Sequence, residues 1–366
     1  MTKELEKTLD YIQLINCENL GPVSFYKLLE HFGSAKIALE NLPPKFKLFP
    51  RSLAKLELDK AKSKGIEIIT FDSPLYPQKL SNINDAPPIL YTLGNKTLLN
   101  HPVSISVVGA RNASINGRKT ASRIAYDLTN ADVLIISGMA RGIDSSAHKG
   151  SMYAKSQSGP TIAVLGTGVD IVYPKENDSL YNEIKEKGLI ISEFPIGTQP
   201  QSNNFPRRNR IVSALSNGTL IVEATLRSGS LITARLALEQ NRDVFAVPGS
   251  PNDARSLGPN SLIKEGAHLV ESAQDIIDIL KDDPSIDITK QIKLSIDNKP
   301  KSVAMKKEFN NSEINLLDYL DPAGTHIDEL IRASNLDSAE VSLALIELEL
   351  IGKIERQPGN IISLVK

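Results

Sequence analysis

One cysteine, Cys17, stands in a chain of 366 residues. That excludes an internal disulfide framework and any zinc or iron–sulfur site built on several thiolates, and it fits a reducing compartment. The five histidines (His31, His101, His148, His268 and His326) are scattered, without HExxH or any paired ligand spacing, so neither a metal nor another cofactor is expected. No apolar run approaches the roughly 20 residues of a membrane-spanning helix, so no membrane contact is expected. The opening MTKELEKTLDY lacks the apolar core of a secretory leader, which makes the cytoplasm the expected location. Several nucleotide and catalytic signatures are missing too. There is no GxxxxGK[ST] loop and no GxSxG elbow, and the dinucleotide fingerprint begun by Gly166 and Gly168 fails at Ile171.

What is present is an uneven charge. The net charge is −1, yet residues 111–242 carry +5 and residues 243–366 carry −8. Ten of the fourteen arginines fall in 111–242. A guanidinium fork suits planar, two-point capture of phosphate oxygens better than an ammonium does.

The chain divides into four segments. Residues 1–65 read as a small helical domain, with LEKTLDYIQLI, PVSFYKLLEHF and AKIALENL separated by breakers at Gly21-Pro22, Gly33 and Pro43-Pro44. Gly21 between two amphipathic helices has the layout of a helix–hairpin–helix, although Pro22 removes one turn amide. Residues 66–280 alternate strand and helix. Fully apolar runs at Ser104–Gly109, Val133–Gly138, Thr161–Gly166, Leu189–Phe194, Thr219–Glu223 and Val244–Pro248 read as strands covered on both faces. Helices are expected at Gly117–Asn130, Ser145–Tyr153, Glu176–Lys187, Phe205–Ser216 and Ser230–Gln240. The pattern specifies an α/β, doubly wound parallel (Rossmann-like) sheet. Residues 281–311 are polar and weakly periodic, a linker. Residues 312–366 suggest helices near Glu313–Tyr319, Ile327–Ala333 and Ser338–Leu350, then a hairpin turning at Pro358-Gly359-Asn360, the outline of a winged helix. Its third helix carries Glu340, Glu347 and Glu349 and no Lys or Arg, which argues against a groove-reading helix. A role in protein contact, packing or regulation is expected of it.

In open α/β sheets ligands bind beyond the carboxyl ends of the strands. Those ends here feed Gly109 and Arg111, then Gly138 and Arg141, then Gly166 and Gly168 with Lys175 downstream. Next come Phe205, Arg207, Arg208 and Asn209, and finally Arg227, Ser228 and Gly229. One such loop is an ordinary turn; five in succession make an anion-binding rim. Phe205 among basic groups reads either as a base-stacking face of the kind used for single strands or as a core residue docking the helix start. Asp144, Asp170, Glu193 and Glu223 read as acid–base candidates or equally as caps and arginine partners.

At these positions the sequence resembles the DprA/Smf family of DNA-processing proteins. The stretches are VGARNAS (108–114), SGMARGIDSSAH (137–148), AVLGTGVDIVYP (163–174), ISEFPIGTQPQSNNFPRRNRIVSALS (191–216), LIVEATLRSGSLITARLALEQNRDVFAVPGS (220–250) and GPNSLIKEGA (258–267). The resemblance implies a cytoplasmic, non-catalytic protein that binds single-stranded DNA, forms a homodimer and loads a RecA-type recombinase in transformation. It implies DNA contacts at Arg111, the Gly138 loop, Lys175, Phe205, Arg208 and Asn209, and a dimer surface near Gly258–Val270. Ser202 stands where some members carry a lysine, so that contact is expected to be lost or moved to Arg207. The competing reading is a Rossmann-like nucleoside-monophosphate phosphoribohydrolase, whose PGGxGTxxE loop has only EATLRSGSLITAR as its counterpart here.

Overall fold

The structure, a computed structural model, describes residues 3–155 and 160–282 and, in the tail, 316, 319–321, 324–334, 336, 338–350, 353–357 and 359–365. The N-terminal helices are α1 (Lys3–Ile15), α2 (Pro22–Phe32), α3 (Ala35–Glu40) and α4 (Arg51–Ser63). Pro22 opens α2, where its missing N–H costs nothing, and left-handed Gly33 closes it. Leu9, Ile12, Leu14, Phe25 and Leu28 form one apolar core that continues without a break into Tyr91, Ala163 and Ile190 of the central sheet.

That sheet has nine strands in the order β1-β2-β6-β5-β4-β3-β7-β8-β9. They are β1 (Glu67–Thr70), β2 (Ile89–Gly94), β3 (Ser104–Val108), β4 (Leu134–Ser137), β5 (Thr161–Val164), β6 (Leu189–Ser192), β7 (Gly218–Ile221), β8 (Asp243–Ala246) and β9 (His268–Leu269). The strands from β3 to β9 run parallel. The first two pair antiparallel at one edge. Only the edge pair and the two-residue β9 depart from the strands expected.

The helices are α5 (Gln78–Ser81), α6 (Ile115–Asn130), α7 (Ile143–Tyr153), α8 (Asp178–Lys187), α9 (Asn204–Ala214), α10 (Gly229–Glu239), α11 (Leu257–Lys264) and α12 (Ala273–Asp282). They cover both faces, so strand residues such as Ile105, Ile135, Ile190 and Leu220 are fully buried. Each such side chain contributes about 1.5–3 kcal/mol.

In the tail, β10 (Thr325–His326), β11 (Ile354–Gln357) and β12 (Ile361–Leu364) form a small sheet with α13 (Ile327–Ser334) and α14 (Ser338–Leu350). These close a separate core of Leu316, Leu330, Val341, Leu345, Leu348 and Ile362. The expected linker over 281–311 is helical at its first two residues, which end α12; the rest lies outside the described residues, as does most of the helix expected near Glu313–Tyr319.

Strand order reverses at β3, whose neighbours are β4 on one side and β7 on the other. The connections leaving β3 and β7 therefore diverge, opening a crevice at their carboxyl ends. The site sits there.

Candidate nucleic-acid interface

A groove of about 810 Å³ opens over this crevice. Its wall brings together Gly109, Arg111, Phe205, Arg208, Asn209, Ser228 and Gly229 from the expected set. The backbone is drawn tight around it. Gly142, at φ +77°, lies so close to the first loop that a Cβ there would stand 2.2 Å from the Ala110 carbonyl oxygen, a position only glycine fills without strain. Glu223 fastens β7 to the start of α6, accepting from the Ser114 N–H (2.8 Å) and hydroxyl (2.5 Å), while Ser114 Oγ caps the Gly117 N–H (2.9 Å).

Phe205 is half-buried in the first turn of α9. Tyr173 lies 5.4 Å from it between ring centroids at an interplanar angle of 34°. The Arg111 guanidinium stands 5.4 Å from the same ring, within cation–π range. Gly166 lies beneath, where a Cβ would come 2.8 Å from Cδ1 of Phe205. The result is an aromatic face beside an exposed cation. Asn209, one turn on, donates to the Gly229 carbonyl (3.4 Å) and ties α9 to the N-terminus of α10, which Ser228 caps.

Arg208 lies at the bottom of the groove. It is only 4% exposed, and its Nη1 donates to the Val164 carbonyl at 2.6 Å. Burial, opposed by Asp144, draws its pKa down to about 10. Asp144 accepts from the N–H groups of Gly138 (3.1 Å) and Ala140 (3.3 Å); burial pushes its carboxyl up, and Arg208 opposes that. His148 lies fully buried nearby, its Nδ1 2.8 Å from Thr161 Oγ1, and burial together with Arg208 depresses it to about 3, so its ring is neutral. Arg208 thus anchors the floor of the groove rather than offering a solvated donor.

Four expected residues lie outside the groove wall. Gly138 is underneath, making room for Arg208: a Cβ there would fall 1.9 Å from Nη1. Arg141 is exposed and 3.5 Å from Glu176. Lys175 is exposed in the 3₁₀ turn Lys175–Asn177, after the cis Tyr173–Pro174 bond. Arg207 points away, its guanidinium 5.4 Å from the Phe194 ring and 3.9 Å from Glu193. Ser202, where some members carry a lysine, does line the groove.

Tyr173 and Arg255 line the groove beyond the expected set. Tyr173 belongs to the VYP stretch, two residues before Lys175. Arg255 lines the groove and pairs with Asp253 at 2.9 Å; its loop follows β8 with no motif to mark it. The four candidate carboxylates all have partners. Besides Asp144 and Glu223, Asp170 pairs with Lys64 (2.5 Å) and Glu193 with Arg210 (2.8 Å).

Residues 67–281 match the family model of DNA recombination-mediator protein A. The chain belongs to the DprA family. Residues 308–360 match the DprA winged helix domain, and residues 5–47 the DprA-like N-terminal helix–hairpin–helix domain. The chain is 47% identical to DNA processing protein DprA of Streptococcus pneumoniae over 202 residues, 55% of this chain and 70% of that one. It is 36% identical to protein Smf of Escherichia coli over 325 residues, 87% of this chain and 83% of that one. The X-ray structure of the S. pneumoniae DprA superposes with a TM-score of 0.60 at 35% identity, over 75% of this chain and 95% of that one. The Helicobacter pylori DprA, whose structure was described for its single-stranded DNA binding mode, gives 0.54 at 30% identity, over 59% and 97%. The doubly wound sheet, the helical N-terminal module and the winged-helix tail are thus family features.

Proposed function

We propose that this DprA family member binds single-stranded DNA in the groove at the sheet's switch point, as a non-catalytic carrier that delivers the strand to a RecA-type recombinase. The observation that carries the reading is the half-buried Phe205 ring in the groove wall, with Tyr173 and the Arg111 guanidinium each 5.4 Å from it. A half-buried ring gives a base a face to stack on, and the guanidinium beside it can meet the phosphate of the same nucleotide. The amides at the starts of α6, α7 and α10 supply further donors to anions. Phosphate contact falls chiefly to Arg111, while Gly138 and Arg208 shape the floor and Asn209, Ser228 and Gly229 form the far rim. Arg141 and Lys175 extend the basic surface beyond the groove.

Commitment of Asp144, Asp170, Glu193 and Glu223 to internal partners favours binding over nucleotide hydrolysis. Delivery to the recombinase rests on family membership. A homodimer is favoured at the free edge β9, where Leu269 is 49% exposed, within the expected Gly258–Val270 region.

The test compares oligo(dT) with a matched duplex by fluorescence anisotropy at one salt concentration. Preference for the single strand is expected, because stacking needs an exposed base. Equal affinity would reject the reading, and release of free base from nucleoside monophosphates would replace it with the hydrolase.

A further inference from the structure

The groove does not end at Arg111. That residue also lines a second cleft of about 540 Å³, which runs over the N-terminal halves of α6 and α7 toward the winged-helix module. Besides Arg111 and Arg141, this cleft presents Arg118, Lys119 and Lys149, and its far wall carries Asp321 and Glu329. On α6 the lining positions are 115, 118, 119 and 122; on α7 they are 145, 146 and 149. Helical spacing of three and four keeps each set on one face. The two faces merge because Gly150 lets the helices touch: a Cβ there would lie 2.0 Å from the Ser122 carbonyl oxygen.

The cleft lining holds five cations against two carboxylates, and of the five Arg141 also lies 3.5 Å from Glu176, outside the lining. Lys119 donates to the Tyr319 carbonyl (3.0 Å), and Asp321 accepts from the Ser122 hydroxyl (2.8 Å). Arg118 and Lys149 are exposed and, among the described residues, have no ion-pair partner. Like charges gathered along a cleft raise the local concentration of polyanions.

We infer that this cleft is a second phosphate-binding segment for the same strand, entered past Arg111, and that Asp321 and Glu329 of the winged-helix module stand where its phosphates pass. The strand and the module's carboxylates then compete for one basic surface. The inference rests on the single-strand reading above.

The test measures anisotropy of the full-length chain with two oligo(dT) probes. One has about five nucleotides, enough for the first groove alone, and one about 20, enough for both. The Arg118→Ala/Lys149→Ala double variant should flatten the salt slope for the long probe by about 1.4, at ~0.7 per single-strand phosphate. At 0.1 M salt that amounts to about 25-fold weaker binding, if the contacts contribute nothing at 1 M. The short probe should bind as to wild type. Ser146→Lys, which adds a cation to the same face, should steepen the long-probe slope, and Glu329→Gln should tighten the long probe only. Wild-type slopes for both the double variant and Ser146→Lys would overturn the second segment; unchanged or weaker long-probe binding by Glu329→Gln would overturn the competition. Failure of the parent reading shows separately, as no short-probe loss in Phe205→Ala.

Discussion

Removing the Arg208 side chain separates an anchor of the fold from a DNA ligand. Arg208→Ala leaves the Val164 carbonyl buried without its donor, which costs about 1–3 kcal/mol. It also leaves the Asp144 carboxylate buried without the guanidinium that offsets its desolvation, and a solitary buried charge raises the total to about 3–5 kcal/mol. Asp144 would then protonate at higher pH, since burial already pushes it up and Arg208 is its largest counterweight. Urea unfolding followed by far-UV circular dichroism should show a lower midpoint with an unchanged slope. The Asp144→Ala/Arg208→Ala pair should be less destabilised than the sum of the single variants, because each removes the other's reason for being there. Wild-type stability for Arg208→Ala, with a salt slope lowered by ~0.7, would refute this and make Arg208 a phosphate ligand.

His148 should set an acid limit. Its folded pKa of about 3 lies below the ordinary 6.5, so the unfolded chain takes up a proton that the folded one does not. Stability therefore falls as pH drops from 6.5 toward 3, by up to ~1.4 kcal/mol per pH unit. His148→Gln should remove that contribution, and identical pH profiles would contradict it. Gly138→Ala should expel the Arg208 guanidinium and behave like Arg208→Ala in urea; wild-type stability would show that the floor is not packed as described.

Much of the fold was readable because it obeys a period. The six apolar runs became the central strands within one or two residues of their ends, since strands covered on both faces need no polar alternation. The edge strands β1 and β2 escaped for the converse reason. They pair antiparallel, and the segment between them holds only the four-residue α5, so the strand–helix rhythm is absent there. Within FPRRNR the types were informative and the directions were not. On a helix Phe205, Arg208 and Asn209 share one side, whereas Arg207 and Arg210, three apart, share another, where Glu193 meets both. The burial of Arg208 depends on the gap left by Gly138, which lies on a loop 70 residues earlier and cannot be inferred from local sequence.

Joint action of a stacking ring and a phosphate-binding cation in the switch-point groove is tested most directly by oligo(dT) titrations of folded variants across a salt series. Arg111→Ala should weaken binding and flatten the plot of log affinity against log salt by ~0.7, the loss of one phosphate contact on a single strand. Phe205→Ala should weaken binding by ~1–3 kcal/mol with the slope unchanged, because stacking releases no counterions. Wild-type affinity and slope in both variants would place the DNA path elsewhere on the molecule.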